Sequence, residues 1–295
     1  MYERLSKCPL CKSELFINHL VVKDNTVSQE SFIICACKNC DLWFTNPRPN
    51  EDNINKYYDK PDYISHQNKT RNLTDLIYNT IRKYTINQKL NWVNKRLQKK
   101  GRLLDYGCGV GLLAKAFMED GWEACGIEPS EKAATIANKE NKVRIISNVK
   151  AIDKEKKFDA ITLFHVLEHV HKLNKTIDIL LNKLKKRGLL FIAVPNRESQ
   201  DAVTFKENWA AYDVPRHLYH FNRNSMQYLA QKYNCKIVET IPMVFDSYYV
   251  SLLSHGYTGT PNKFWRALKT GYLSNQHAKQ DNNNYSSLLF VIRKK

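Results

Sequence analysis

The chain has 295 residues, 43% of them hydrophobic, enough for one full α/β domain and a small extra module, and no apolar run approaches a membrane span. The N-terminus, Met1-Tyr-Glu-Arg-Leu-Ser-Lys-Cys8, lacks the apolar segment of an export signal, so a soluble cytoplasmic protein is expected. A formal charge of +17 makes polyanions available as partners, but the cations are spread through Lys95–Arg102, Lys154–Lys157, Lys183–Arg187 and Arg293–Lys295 rather than gathered in one stripe.

The first fifty residues carry Cys8-Pro-Leu-Cys11 and Cys37-Lys-Asn-Cys40. Two such pairs put four thiolates on two tight knuckles, the tetrahedral set that structural zinc takes. Between them, Leu15 to Lys23 and Ser31 to Cys35 read as hairpin strands, as in a zinc ribbon. Cys35 offers an alternative ligand, but only Cys37 recreates the C-x-x-C knuckle. A disulfide framework is disfavoured in a chain without an export signal. Four cysteines leave no open coordination position, so the expected metal is structural.

Asp41 to Pro49 reads as extended chain closed by prolines, and tyrosines follow at 57, 58 and 63 with His66. From Thr70 to Lys100, apolar residues at three and four residue steps predict one long helix or two short ones, ended by Gly101. The stretch Leu103-Leu-Asp-Tyr-Gly-Cys-Gly-Val-Gly111 then reads as a strand and a tight turn, with a helix starting at Leu112. Gly107, Gly109 and Gly111 supply positive φ and bring bare backbone close to a ligand. The spacing departs from the G-x-G-x-x-G of pyrophosphate-binding turns, because Leu112 stands where a late glycine would be. Asp105 before the turn repels phosphate but suits an ammonium group. A second strand, Glu123 to Ile127, ends at Glu128, where a carboxylate can accept both ribose hydroxyls. An acid at each strand end suits adenosine joined to an amino acid.

Further strands are predicted over Lys142–Ile146, Phe158–Phe164, Gly188–Val194, Lys236–Met243 and Leu288–Arg293, with helices over Glu131–Glu140, Leu173–Lys186 and Phe221–Asn234, the last capped by Asn222. His165-Val-Leu-Glu-His169 follows the fourth of these domain strands. As H-x-x-E-H it matches an inverted zinc-peptidase motif, but its position at a strand end argues against that reading. If a helix starts at once, His165, Glu168 and His169 share a face. One histidine would then act as general base with Glu168 fixing its tautomer; the alternative is that Glu168 and His169 brace the loop. The connection Arg197 to His220 is long for an α/β unit and carries Trp209, Tyr212, Asp213, Arg216, His217, Tyr219 and His220, a mix suited to a substrate lid, with His217 as a second candidate base. Residues 245–285 are expected to contain Tyr248–Leu253 and a short helix near Phe264.

Leu103–Gly111, Gly126-Ile-Glu-Pro-Ser130 and His165–Val170 together resemble the class I S-adenosylmethionine (SAM) dependent methyltransferases, in the expected order. The resemblance implies a doubly wound, seven-stranded Rossmann-like α/β sheet, here with an N-terminal zinc ribbon. It implies SAM as cofactor, held by Asp105, Gly107, Cys108, Gly109, Gly111, Glu128 and Pro129, with Asn148 near the adenine amino group and Phe164 and His165 beside the cofactor. Cys8 to Cys40 running into Trp43-Phe-Thr-Asn-Pro-Arg-Pro49 also resembles small-molecule methyltransferases, including C-methyltransferases of nucleotide-linked deoxysugars. In that group an aromatic residue near Tyr63 or His66 reaches the active site, and the run Trp209 to Phe221 covers it.

The expected organisation is a zinc ribbon over 1–50, a helical cap and linker over 51–101, and a SAM-dependent methyltransferase domain over 102–295 with a lid at 197–220. The expected acceptor is a small molecule such as a sugar or biosynthetic intermediate, methylated on oxygen rather than carbon or nitrogen. An RNA methyltransferase docking through its ribbon and basic surface, and a SAM- and zinc-binding interaction protein without turnover, are the rival readings.

Overall fold

The computed structural model describes residues 1–58, 73–146, 148, 151–154 and 156–295, with the side chains of 73–80, 153 and 154 set aside. The N-terminal module contains β1 (Tyr2–Glu3), β2 (Phe16–Lys23), β3 (Ser31–Cys37), β4 (Trp43–Thr45) and β5 (Arg48–Pro49). A long helix, α1 (Leu73–Asn94), leads into the larger domain. There β6 (Arg102–Tyr106), α2 (Leu112–Glu119), β7 (Glu123–Ile127), α3 (Glu131–Lys139) and β8 (Arg144–Ile146) alternate, followed by β9 (Phe158–Phe164), α4 (Leu173–Lys183) and β10 (Leu184–Pro195). The chain continues through α5 (Gln200–Phe205), β11 (Tyr219–His220), α6 (Arg223–Lys232), β12 (Cys235–Pro242), α7 (Asp246–Tyr257), α8 (Lys263–Gln280) and β13 (Ser287–Lys294).

Seven strands form one sheet in the order β12-β13-β10-β9-β6-β7-β8, with β13 antiparallel to both its neighbours. The parallel strands are covered on both faces, which is why Leu189-Leu-Phe-Ile-Ala-Val194 is a continuous apolar run. Leu103 and Leu104 are both fully buried yet enter different cores, one on each side of β6, as a period of two requires. Strand order reverses at β6, with β7 on one side and β9 on the other. Open α/β sheets bind ligands in the crevice at the carboxyl ends of the strands flanking such a point. Helix α6 starts as expected, Asn222 and Ser225 forming a reciprocal capping box.

A second sheet, β11-β4-β3-β2, crosses the expected boundary between module and domain. Tyr219 and His220 pair with Phe44 and Trp43, and Leu10, Ile34, Leu42 and Phe44 join one core with Leu104, Ile161 and Trp209. Three expected elements differ. Helix α1 ends at Asn94, short of Gly101, and a backbone turn follows. The H-x-x-E-H segment does not begin a helix: His165 is left-handed at φ 56° and only a single 3-10 turn spans Leu167–His169. The helix expected near Phe264 is the 18-residue α8. Among the described residues no helix is long and apolar enough to cross a membrane.

Candidate active site

The turn after β6 has φ values of 76°, 54° and 79° at Gly107, Gly109 and Gly111. A Cβ on Gly107 would stand 2.5 Å from Val166 Cγ2, so the turn rests directly on the segment after β9. Around Gly109 nothing lies within 4 Å of such a Cβ, leaving open space beside its backbone. The Gly109 amide donates to Glu128 Oε2 at 2.9 Å and the Ser130 amide to Oε1 at 2.9 Å. These bonds fix the carboxylate at the end of β7 while leaving each oxygen a further lone pair. Cys108 Sγ occupies the space a side chain at residue 126 would need, since a Cβ on Gly126 would lie 2.3 Å from it. Pro129 is exposed. Asn148 is also exposed, and its Oδ1 accepts from the Ala151 amide at 3.0 Å.

Asp105 is buried at the end of β6 and accepts a 2.7 Å bond from Thr162 Oγ1. Burial pushes its carboxyl up to about 6, against the opposing pull of the Thr162 hydroxyl and the Lys89 ammonium. Lys89, from α1, places its Nζ 4.6 Å from the centroid of the Phe164 ring. A cleft of about 150 Å³ opens here, lined in part by Thr85, Gln88, Lys89, His165 and Asp246. His165 bridges two acids, with Nε2 3.0 Å from Asp246 Oδ2 and Nδ1 3.5 Å from Glu168 Oε1. Burial disfavours its cation, but the two carboxylates, Asp246 and then Glu168, override that and raise it to about 9. A histidine already protonated at neutral pH is a poor general base.

Glu168 is fully buried, and its backbone carbonyl accepts from the Leu218 amide at 2.8 Å. That bond draws His217 toward the turn carrying His169, and the two rings meet edge to face with centroids 4.6 Å apart. His169 Nδ1 lies 3.0 Å from the Arg216 carbonyl and 3.0 Å from Tyr58 Oη, and His217 Nδ1 lies 2.8 Å from the Ala211 carbonyl. A carbonyl only accepts, so each Nδ1 carries a proton, and in the neutral ring Nε2 holds the lone pair; His217 Nε2 lies 4.0 Å from Asp213 Oδ2. Burial, reinforced by His217 when that ring is charged, lowers His169 to about 4, leaving it neutral at pH 7. Tyr63 and His66 lie outside the described residues.

The 197–220 segment packs inward. Trp209, Tyr212, His217 and His220 are all buried. Trp209 Nε1 donates to Asp201 at 2.7 Å, His220 Nε2 lies 3.2 Å from Thr45 Oγ1, and the Tyr219 hydroxyl donates to the His171 carbonyl at 2.9 Å. His220 and Tyr219 serve the join to the cysteine module, through Thr45 and Arg48, because β11 supplies that module's outer strand, while Trp209 is tied into the larger domain.

In the module, Cys8, Cys11, Cys37 and Cys40 bring all four Sγ atoms within 4.8 Å of one another. The Cys8–Cys40 and Cys11–Cys37 separations are 3.6 and 3.5 Å, close to the roughly 3.8 Å that a tetrahedron with bonds of about 2.3 Å requires. The donor set therefore suits zinc. Cys35 points elsewhere, toward Asn18 Oδ1 at 3.4 Å.

Three residues escaped the sequence reading: Asp246, Lys89 and Asp24, the last ion-paired to Arg216. Asp246 had a local signal, an acid opening a helix just after a strand, but nothing local linked it to His165.

A family model described as a methyltransferase domain matches residues 78–240. The chain belongs to the methyltransferase domain family. Its seven-stranded sheet is that of a class I SAM-dependent methyltransferase fold. This methyltransferase is similar to the ubiquinone biosynthesis O-methyltransferase of Pelagibacter ubique (strain HTCC1062), 35% identical over 105 residues that cover 34% of this chain and 44% of the relative. The enzyme of the same description from Xylella fastidiosa (strain 9a5c) is 31% identical over 118 residues, 37% of this chain and 48% of the relative. The chain thus spans about half the length of the curated relatives it matches. Among solved structures, magnesium protoporphyrin IX methyltransferase from Synechocystis PCC 6803 with bound SAH shares the fold at TM-score 0.51 and 14% identity, covering 82% of this chain and 92% of that one.

Proposed function

We propose that this chain transfers the methyl group of SAM to an oxygen of a small-molecule acceptor. The observation that carries the reading is the convergence at the carboxyl ends of β6, β7 and β9. The open glycine turn, the anchored Glu128 and the buried Asp105 meet the two histidine-bearing segments there. When bound, the cofactor supplies a sulfonium that makes its methyl carbon electrophilic. Asp105 would hold the ammonium of the methionine end and Glu128 the ribose hydroxyls, with the backbone of residues 107–111 passing beneath. Phe164 and Asn148 are assigned to the methionyl and adenine ends, and Cys108 and Pro129 to shaping the turn and its neighbour.

The remaining tasks are alignment, exclusion of water and removal of the acceptor proton. His165, held as a cation between Asp246 and Glu168, orders the loop. His169 and His217, with lone pairs on Nε2, are the groups able to receive a proton. The oxygen acceptor is supported by the O-methyltransferase relatives; a sugar or other biosynthetic intermediate is the class we favour. We read residues 1–50 as a zinc-ordered module that fixes the 209–221 segment, residues 51–101 as linker and cap, and 102–295 as the methyltransferase domain.

The test is transfer of radiolabelled methyl from SAM into an extract of the source organism, fractionated afterwards. Label in a low-mass pool, absent with Glu128→Ala, is expected. Nuclease-sensitive label would place the acceptor in RNA and overturn the small-molecule reading.

A further inference from the structure

The Glu168 carboxylate is fully buried and neither of its oxygens has a hydrogen-bond partner. A buried carboxylate in that condition is costly unless another group compensates it. His165 Nδ1, 3.5 Å from Oε1, offsets the charge but lacks hydrogen-bond geometry, so the lone pairs of both oxygens stay unfilled. Two further side chains converge on the same point. Glu168, His169 and His217 each offer a ligand atom, and these atoms lie within 4.8 Å of one another.

Both imidazoles are oriented from behind. The carbonyls of Arg216 and Ala211 take the Nδ1 protons at 3.0 and 2.8 Å, so in the neutral rings Nε2 is the nitrogen with a lone pair for a metal. Holding one ring nitrogen on a backbone acceptor and freeing the other is how proteins prepare histidine to bind a metal. The carriers are stiff: the Leu218 amide bonds the Glu168 carbonyl at 2.8 Å, clamping the two ligand-bearing segments together.

We propose that Glu168, His169 and His217 bind a divalent transition-metal ion, separate from the four-cysteine site. Two imidazoles and one carboxylate suit zinc, manganese or ferrous iron, and three protein ligands leave coordination positions for an exchangeable oxygen. Resting on the methyltransferase reading, that oxygen is the hydroxyl of the acceptor; with the ion bound, His169 and His217 give their Nε2 lone pairs to it and no longer receive a proton, and the site selects acceptors whose hydroxyl can enter a metal's coordination shell. The H-x-x-E-H segment thus supplies two ligands after all, with the third coming from residues 209–221 instead of a peptidase helix.

The test is titration of the metal-free full chain with Co²⁺ alone. Two equivalents per chain are expected: one with the charge-transfer absorption of thiolate-bound cobalt, the other with only visible bands of nitrogen and oxygen coordination. Glu168→Gln and His217→Gln should keep the thiolate-bound equivalent and weaken the other by more than roughly 100-fold. A wild-type chain that saturates at one thiolate-bound equivalent overturns the proposal, and this measurement needs no variant. So does a second equivalent retained by both variants. SAM calorimetry on the same samples separates the two readings, because loss of SAM binding with the second metal intact strikes only the methyltransferase assignment.

Discussion

The guanidinium of Arg216 lies 3.3 Å from the carboxylate of Asp24, joining the β2–β3 turn of the cysteine module to the residue beside His217. The same guanidinium binds both oxygens of Asp213 and the Tyr57 carbonyl, while the Arg216 carbonyl orients His169. One residue therefore couples the ribbon, the 197–220 segment and the histidine pair.

Acid stability tests that coupling. Burial alone would raise the Asp24 carboxyl, but the Ser28 amide, the Thr26 side chain and Arg216 outweigh it and hold it at about 2. A depressed carboxylate contributes stability above its unfolded value near pH 4, and the contribution fades as pH falls toward 2. At pH 7 Asp24→Asn should cost about 2 kcal/mol. The gap in thermal midpoint between variant and wild type should close between pH 4 and 2. A gap independent of pH would contradict the ion-pair account.

Asp201 organises the other side of the 197–220 segment. Its buried carboxylate accepts from Trp209 Nε1 at 2.7 Å, Ser274 Oγ at 2.8 Å and Ser286 Oγ at 2.7 Å, tying α5 to α8 and to the approach to β13. Asp201→Ala strands three buried donors and should destabilise by about 3 kcal/mol or more in denaturant unfolding. A change below about 1 kcal/mol would show that the network is dispensable.

Metal removal should reach beyond the cysteine module. Because β11 pairs with β4, chelation is expected to open residues 209–221 to protease along with residues 1–50. Cys37→Ser should lose the thiolate-bound metal and Cys35→Ser should keep it. Metal loss with an unchanged cleavage pattern would show that the sheet holds without the ion.

SAM affinity should depend on the ionisation of Asp105. Its carboxyl sits at about 6 before the cofactor arrives, and pairing with an ammonium requires the anion. Affinity should be level above about pH 7 and fall by up to roughly tenfold per unit below pH 6. Asp105→Asn should bind more weakly with a flatter profile. An equally steep acid limb in the variant would assign the titration to another group.

Much of the site was legible because its signals are local. Gly107 to Gly111 needed positive φ within a strand-turn-helix pattern, and Glu128 stood at the next strand end. The four-cysteine cluster likewise lies on two short knuckles, and Cys35 was set aside on spacing alone. What could not be read depends on distant partners. Asp24 and Arg216 are 192 residues apart in the chain, and Asp246 meets His165 only because α7 begins over the end of β9. Aromatic and polar residues between 209 and 220 suggested a lid; that Tyr219 and His220 also pair with the cysteine module is visible only in the sheet register. Helix α8 was underestimated because Phe264, Trp265, Leu268, Tyr272 and Leu273 are exposed, which spreads apolar residues beyond one helical face and blurs the period.

The most direct test of the central claim is calorimetric titration of SAM into the wild-type chain, Glu128→Ala and Glu128→Gln, with thermal unfolding as the check on folding. One SAM per wild-type chain is predicted, with affinity reduced about 100-fold in Glu128→Ala as two charge-assisted hydrogen bonds to ribose are lost, and less in Glu128→Gln. No binding to a folded wild-type chain, or equal affinity in all three proteins, would contradict the placement of the cofactor on the Gly107–Gly111 turn and Glu128.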